Sequence, residues 1–457
     1  MSKNKELFIT SFALFSMFFG AGNLLLPPLL GYQATDQWFW VTLGFMITAV
    51  VVPIFGILAH ARLQGSMFDF GKKVSPLFSS IFCIIIYIIS VTIPSPRTAA
   101  ATHEISIFPN FGTNALLTSS LYFALVLVFV LNRSKILNFL GKFLTPLIVL
   151  ILLAIIGIGL LMPHEAIKAS EFTTPLFTGL EVGYQTFDAI GAIVIGGVII
   201  ISLNLKGITS FEEKKKLIAK SGWIAGFGLF VMYAGLILLG SYFSSEVDID
   251  LSLSNDMKRA NLLRGISLAT LGNIGTAFLS VLVALACFTT AVGITTGTAD
   301  YFKGLFNNSK NAYTITAIIA CLIGIIIGQL GFHYIYMIAG PVLKFIYPIA
   351  IVLIFLNIAP TKYATPLVFR AVVLVTFIFG FLDMLAHFFP TNNLLVAFRE
   401  TISLGGILDM LTHFFPENPY LIAFRETISL GTADFGWVLP SFLTFLVVGL
   451  VQKNKQA

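Results

Sequence analysis

The sequence predicts an all-α polytopic membrane protein with about twelve transmembrane helices. Three observations carry this. The chain of 457 residues is 57% hydrophobic and only 11% charged, less than half the roughly 25% usual for soluble domains. Apolar runs recur from end to end, each long enough to cross a hydrocarbon core of about 30 Å. Lysine and arginine also sort into alternate loops, as a membrane topology requires.

Taken in order, the runs fall near residues 7–30, 39–59, 76–95, 117–131, 138–161, 184–203, 222–243, 270–299, 312–330, 333–357, 366–388 and 435–451. The opening MSKNKELF is basic, but the apolar run behind it is too long for a signal peptide and reads as a retained first span. With the N-terminus inside, cytoplasmic segments collect most of the 27 basic residues, among them Lys214, Lys215 and Lys216. The acidic loop SSEVDIDLSLSND then falls outside. An even number of spans puts both termini in the cytoplasm. The net charge of +6 therefore sets orientation in a cell membrane and does not imply nucleic acid. Cys83, Cys287 and Cys321 fall inside spans and suggest neither disulfides nor a metal site. The histidines read as residues in or near loops.

One internal repeat is plain. FLDMLAHFFPTNNLLVAFRETISLG (381–405) returns as ILDMLTHFFPENPYLIAFRETISLG (407–431). It reads as a local duplication in the outer loop before the last span, and no chemistry is assigned to it.

The first span is interrupted. FFGAGNLLLPP places Gly20, Ala21, Gly22 and Asn23 at its middle, with Pro27 and Pro28 a turn later. Glycines weaken a helix interior, and a buried amide needs a partner. Unwound backbone at that depth is tolerated where it lines a cavity. Freed carbonyls there can coordinate a cation, and the N-terminus of the second half-helix can receive a carboxylate. The sixth span repeats the pattern in GYQTFDAIGA, with Thr186, Asp188 and Gly191. An acid inside a span costs at least about 2.5 kcal/mol at the helix centre and points to function. Interrupted first and sixth spans, in corresponding positions of two sets of five, indicate inverted repeats around a central site.

The eighth span carries ACFTTAVGITTGTADYF, rich in threonine at 289, 290, 295, 296 and 298. Hydroxyls facing the break would complete an oxygen cage suited to a weakly held monovalent cation. Near the end of the third span, Arg97 could neutralise a substrate carboxylate or an acidic gate, but it reads first as an interfacial residue turned outward. Tyr87, lower in that helix, reads as a hydrogen-bond donor to a substrate carboxylate.

FALFSMFFGAGNLLLPPLLG, PRTAAATHE, GYQTFDAIGA and AVGIT together resemble the bacterial branched-chain amino acid:cation symporter family, within the amino acid–polyamine–organocation superfamily. The resemblance runs along nearly the whole chain except 381–431. It implies a leucine-transporter-like fold, with two inverted five-helix repeats (about 7–161 and 184–357) in a transport core of 1–361. Two further helices and the duplicated segment would follow in 362–457. It implies import of leucine, isoleucine and valine driven by sodium, with no other cofactor. Substrate would contact Ala21, Gly22, Asn23, Tyr87, Thr186, Phe187, Asp188 and Gly191, its ammonium on Asp188. Sodium would be held by Phe19, Gly20, Asn23, Val292, Thr295 and Thr296. Proton coupling, another substrate, a membrane-embedded enzyme and a non-transporting sensor are the alternatives. The enzyme reading lacks an intramembrane HExxH, acidic cluster or Ser/His pair.

Overall fold

In lipid, a long apolar run satisfies its backbone by becoming helical, and the computed structural model forms helices at all the predicted spans. It describes residues 3–170, 172–250, 252–253, 255–388 and 435–456, and these contain no strand. Seven helical stretches are long and apolar enough to cross a membrane, and four shorter apolar helices join them. The stretch Gly22–Leu63 holds half of the first crossing and all of the second, so the described residues make twelve crossings.

The first crossing is α1 (Lys3–Phe18) and α2 (Ala21–Ala34), and the second is α3 (Trp38–Met46), a π-turn and α4 (Val52–Leu63). After a short α5 (Phe68–Gly71) comes the third, built from α6 (Pro76–Thr92), α7 (Pro94–Ala101), another π-turn and α8 (Phe108–Phe111). Ser75 starts α6 by accepting a hydrogen bond from the Phe78 N–H, an ordinary N-cap. Asn114 does the same for α9 (Ala115–Leu131), the fourth crossing. The fifth is α10 (Ile136–Phe139), a π-turn and α11 (Thr145–Leu161). The sixth is α12 (Pro175–Tyr184) and α13 (Asp188–Leu205). There follow α14 (Phe211–Tyr242), α15 (Asn255–Leu305, kinked at Gly272), α16 (Lys310–Gly328), α17 (Phe332–Ile358), α18 (Pro366–Phe388) and α19 (Val438–Gln456).

The inverted plan is visible in the packing. The second half of the first crossing, α2, lies along α14, and the first half of the sixth, α12, lies along α3. Both pairs meet through reciprocal glycines. A Cβ on Gly31 would overlap the Ile237 carbonyl, and one on Gly240 the Pro28 carbonyl. A Cβ on Gly44 would likewise overlap the Leu176 carbonyl, and one on Gly179 the Val41 carbonyl. Small residues that let backbones touch are a principal adhesive between membrane helices. Gly240→Leu is therefore expected to prevent assembly, read as loss of the monodisperse peak on size exclusion. Gly304→Ala, at a helical site with open space, should leave that peak unchanged.

Three expectations change. The third crossing does not stop near 95. Pro94 sits at the first position of a new helix, where its missing N–H costs nothing, and the helical stretch runs on to Phe111. The sixth crossing gains a preceding half-helix, α12. His60 is not a loop residue: it is fully buried in α4, its Nε2 2.7 Å from the Ile193 carbonyl. Most of the duplicated stretch, from 389 onward, lies outside the described residues.

Candidate functional site

The first break is made by backbone geometry at Phe19 and Gly20. Gly20 is extended (φ −100°, ψ −168°), and its N–H bonds back to the Phe18 carbonyl at 2.8 Å. The helical ladder resumes with the Leu24 N–H on the Gly20 carbonyl at 3.1 Å. The first-turn N–H groups of α2 are thus left pointing into the break. Gly20 is also required by its surroundings, because a Cβ there would lie 2.9 Å from Thr290 Oγ1.

The second break is made by side chains as well as backbone. Phe187 adopts a left-handed conformation (φ 57°), which costs a non-glycine residue of order 1–3 kcal/mol and clusters at functional sites. The Thr186 hydroxyl donates to the Gly183 carbonyl at 2.8 Å, closing the end of α12. Asp188 then opens α13 in its first turn, where the helix dipole favours a negative charge.

One residue joins the breaks. The Asn23 side-chain amide donates to Asp188 Oδ2 at 2.5 Å and to the Tyr233 hydroxyl at 2.7 Å. All three groups are buried. Both amide protons are used, and Asn23 Oδ1 takes part in neither bond. The N-termini of two half-helices, α2 and α13, therefore meet through this contact at the Asp188 carboxylate.

Around them lies a cavity of about 100 Å³. Gly20, Gly22, Asn23, Thr186, Phe187, Asp188 and Gly191 line it, as does Thr290. The rest of the wall is largely apolar, including Phe18, Ile190, Val194 and Ile294. Phe19 is buried outside the lining, its ring stacked on Tyr233 at 5.9 Å. The side chain of Ala21 is not described.

The eighth crossing meets the first break through hydroxyls. Thr289 Oγ1 is 2.7 Å from the Ser16 carbonyl and 2.9 Å from the Ala286 carbonyl. Thr290 Oγ1 is 3.2 Å from both the Met17 and Ala286 carbonyls. Two hydroxyl protons serve four acceptor contacts, so this cluster is richer in lone pairs than in donors. Such a surplus is what a small cation neutralises.

Thr295 and Thr296 are elsewhere. They are buried, and neither hydroxyl has a hydrogen-bond partner among the described residues. They lie six or seven residues further along α15 from Thr289, about 9–10 Å at 1.5 Å per residue. Val292 is buried and lines neither the central cavity nor the vestibule below it. The structure thus sets Thr289 and Thr290, rather than the expected pair, against the break.

Tyr87 also lies elsewhere. It stacks on Tyr301 with ring centroids 4.6 Å apart and lines a separate vestibule of about 500 Å³ with Gly197, Gly297 and Asp300. It is absent from the central cavity wall. The vestibule closes on an ion pair that the sequence did not signal. Arg133 reaches Asp300 at 2.7 Å and also donates to the Ser202 hydroxyl (2.8 Å) and the Val198 carbonyl (3.1 Å). This ties α13 to α15 near the C-terminal ends of both helices. Breaking a buried pair by removing one partner costs about 3 kcal/mol or more. Asp300→Asn should accordingly lower the melting temperature of the purified protein, and an unchanged melting curve would show that Arg133 holds by its other bonds alone.

Arg97 departs furthest from expectation. With the third crossing continued through α7, it lines the central cavity instead of turning out to the interface. The prolines of IPSPRT look like the end of a span in the sequence, and the restart of the helix at Pro94 is what carries Arg97 inward.

Three comparisons bear on this geometry. The family described as "branched-chain amino acid transport protein" matches residues 3–455. A Staphylococcus aureus (strain USA300) protein, provisionally named a branched-chain amino acid carrier, is 32% identical over 402 residues, covering 84% of this chain and 89% of that one. A Staphylococcus saprophyticus protein with the same provisional name is 33% identical over 377 residues, covering 79% and 84%. Among solved structures, the nucleobase-cation-symport-1 family transporter Mhp1, closed with bromovinylhydantoin bound, aligns with TM-score 0.58 at 14% identity, over 98% of this chain and 93% of that one. A mutant of the Eremococcus coleocola manganese transporter aligns with TM-score 0.50 at 13% identity, over 100% and 97%. At such identities these two speak for the fold, a shared transporter architecture, and for nothing finer.

Proposed function

The chain belongs to the branched-chain amino acid transport protein family, and from that premise we propose that it imports leucine, isoleucine and valine with sodium across a bacterial cell membrane. The observation that carries the reading is the Asn23–Asp188 contact, which brings both helix breaks onto one small, largely apolar cavity. A cavity of that kind suits an amino acid with a branched hydrocarbon side chain. Its polar end would meet the half-helix termini and its side chain the apolar wall.

On this reading residues 1–361 are the transport core, and both termini are cytoplasmic. Sodium is held by the oxygen cluster of Ser16, Met17, Ala286, Thr289 and Thr290, with the Phe19 carbonyl at its rim. Occupying that cluster ties α15 to the break and stabilises the state that accepts substrate. The substrate ammonium goes to Asp188 and the end of α12. The Arg133–Asp300 pair closes the inner vestibule until the loaded cavity opens inward.

An apolar pocket discriminates a methylene by only about 1–3 kcal/mol, so all three branched-chain substrates should pass. Competition uptake tests this. Unlabelled leucine, isoleucine and valine should each suppress uptake of labelled leucine into cells expressing the protein, whereas lysine, glutamate and uracil should not. Suppression by the latter group alone would transfer the protein to other cargo.

A further inference from the structure

We propose that Arg97 is the carboxylate pole of the substrate cavity, so that Arg97 and Asp188 together select a zwitterion. The inference rests on the amino-acid reading above and adds a residue to it.

Arg97 and Asp188 are the two ionisable residues among the described side chains that line the cavity. They reach it from different helices, Arg97 on α7 and Asp188 on α13. The Asp188 carboxylate receives its side-chain hydrogen bond from Asn23 and not from Arg97. Had the two charges served only to neutralise each other, direct contact would be the favoured arrangement, since charge at membrane depth is costly. Instead a cation and an anion look into one cavity from different walls.

A free α-amino acid carries the complementary pair on adjacent atoms. Its ammonium can face Asp188 and its carboxylate the Arg97 guanidinium, whose planar fork of donors matches a carboxylate. The first-turn N–H groups of α2 can share the carboxylate, because Gly20 and Gly22 line the same cavity. Filling the cavity with a zwitterion adds no net charge to it and presents each of the two walls with a group of opposite sign. An amine or a fatty acid of the same shape would match one pole only, a penalty that discriminates more strongly than a missing methylene.

The test uses purified full-length protein in nanodiscs and three ligands of one carbon skeleton. They are leucine, isopentylamine (which lacks the carboxylate) and 4-methylpentanoate (which lacks the ammonium). Wild type should bind leucine at least about tenfold more tightly than either analogue, the ordinary worth of one charge-assisted hydrogen bond. Arg97→Gln should weaken leucine by at least that factor while changing isopentylamine by less than about twofold. Arg97→Lys, which keeps the charge and loses the fork, should fall between. Equal losses for leucine and isopentylamine in Arg97→Gln would mean a structural role, and unchanged leucine affinity would remove Arg97 from the site. Either result overturns the proposal while leaving the transport reading intact. Failure of wild type to bind leucine, or any branched-chain amino acid, would overturn the transport reading and the proposal with it.

Discussion

Asp188→Asn should insert and fold normally yet lose leucine uptake by about tenfold to hundredfold, the range expected when a hydrogen bond between charged groups becomes one to a neutral group. The substitution keeps shape and most of the hydrogen bonding. The Asn23 amide, 2.5 Å from Asp188 Oδ2, can still donate to the new side-chain oxygen. What disappears is the negative charge at the N-terminus of α13, where the dipole had favoured it. A neutral residue offers the substrate ammonium a weaker partner. Asp188→Glu should recover little, since Asn23 and Tyr233 already fix the spacing around one carboxylate. Ordinary leucine affinity in Asp188→Asn, measured by uptake at matched surface expression, would show that the carboxylate is structural.

Thr289→Val and Thr290→Val should act through the cation and not the amino acid. Each removes one hydroxyl from a cluster whose remaining ligands are the other hydroxyl and neutral carbonyl oxygens, with little change in volume. The sodium concentration giving half-maximal uptake should rise by about tenfold in each, while saturating sodium restores most of the rate. Thr295→Val and Thr296→Val are the matched comparison, buried on the same helix but away from the break. A sodium shift confined to the second pair would return the cation to the residues first expected from the sequence.

The contrast between those pairs shows what a sequence can carry here. The first break was legible because Gly20, Gly22 and Asn23 are small or polar in a run that is otherwise hydrocarbon. Asp188 was legible because an acid within a span is too costly to persist without a function. Which threonines face the break was not legible. Every third or fourth position of that stretch carries a hydroxyl or a small residue, and the register of α15 against α1 is decided by contacts such as Gly293 on Met17 and Gly20 on Thr290.

Tyr87 and Arg97 exchanged places for a similar reason. Both lie on the third crossing, and the sequence places Tyr87 deep and Arg97 at the rim. The Pro94 restart shifts that frame by carrying the helix on to Phe111. Arg97 then comes level with the break, and Tyr87 sits below it on Tyr301. The half-helix α12 was missed because Glu181, Pro175 and the threonines at 173, 174 and 178 dilute its hydropathy. It was the glycine contacts of α12 with α3 that revealed it as the counterpart of α2 on α14.

The central claim is that one cavity between two broken helices couples a branched-chain amino acid to sodium. Purified protein reconstituted into liposomes tests it without interference from other carriers. Labelled leucine should accumulate above equilibrium when an inward sodium gradient is imposed at equal pH on both sides. Accumulation should collapse when potassium replaces sodium, and Thr289→Val should move its sodium dependence to higher concentration. Leucine accumulation that ignores sodium and follows an imposed proton gradient would contradict the claim.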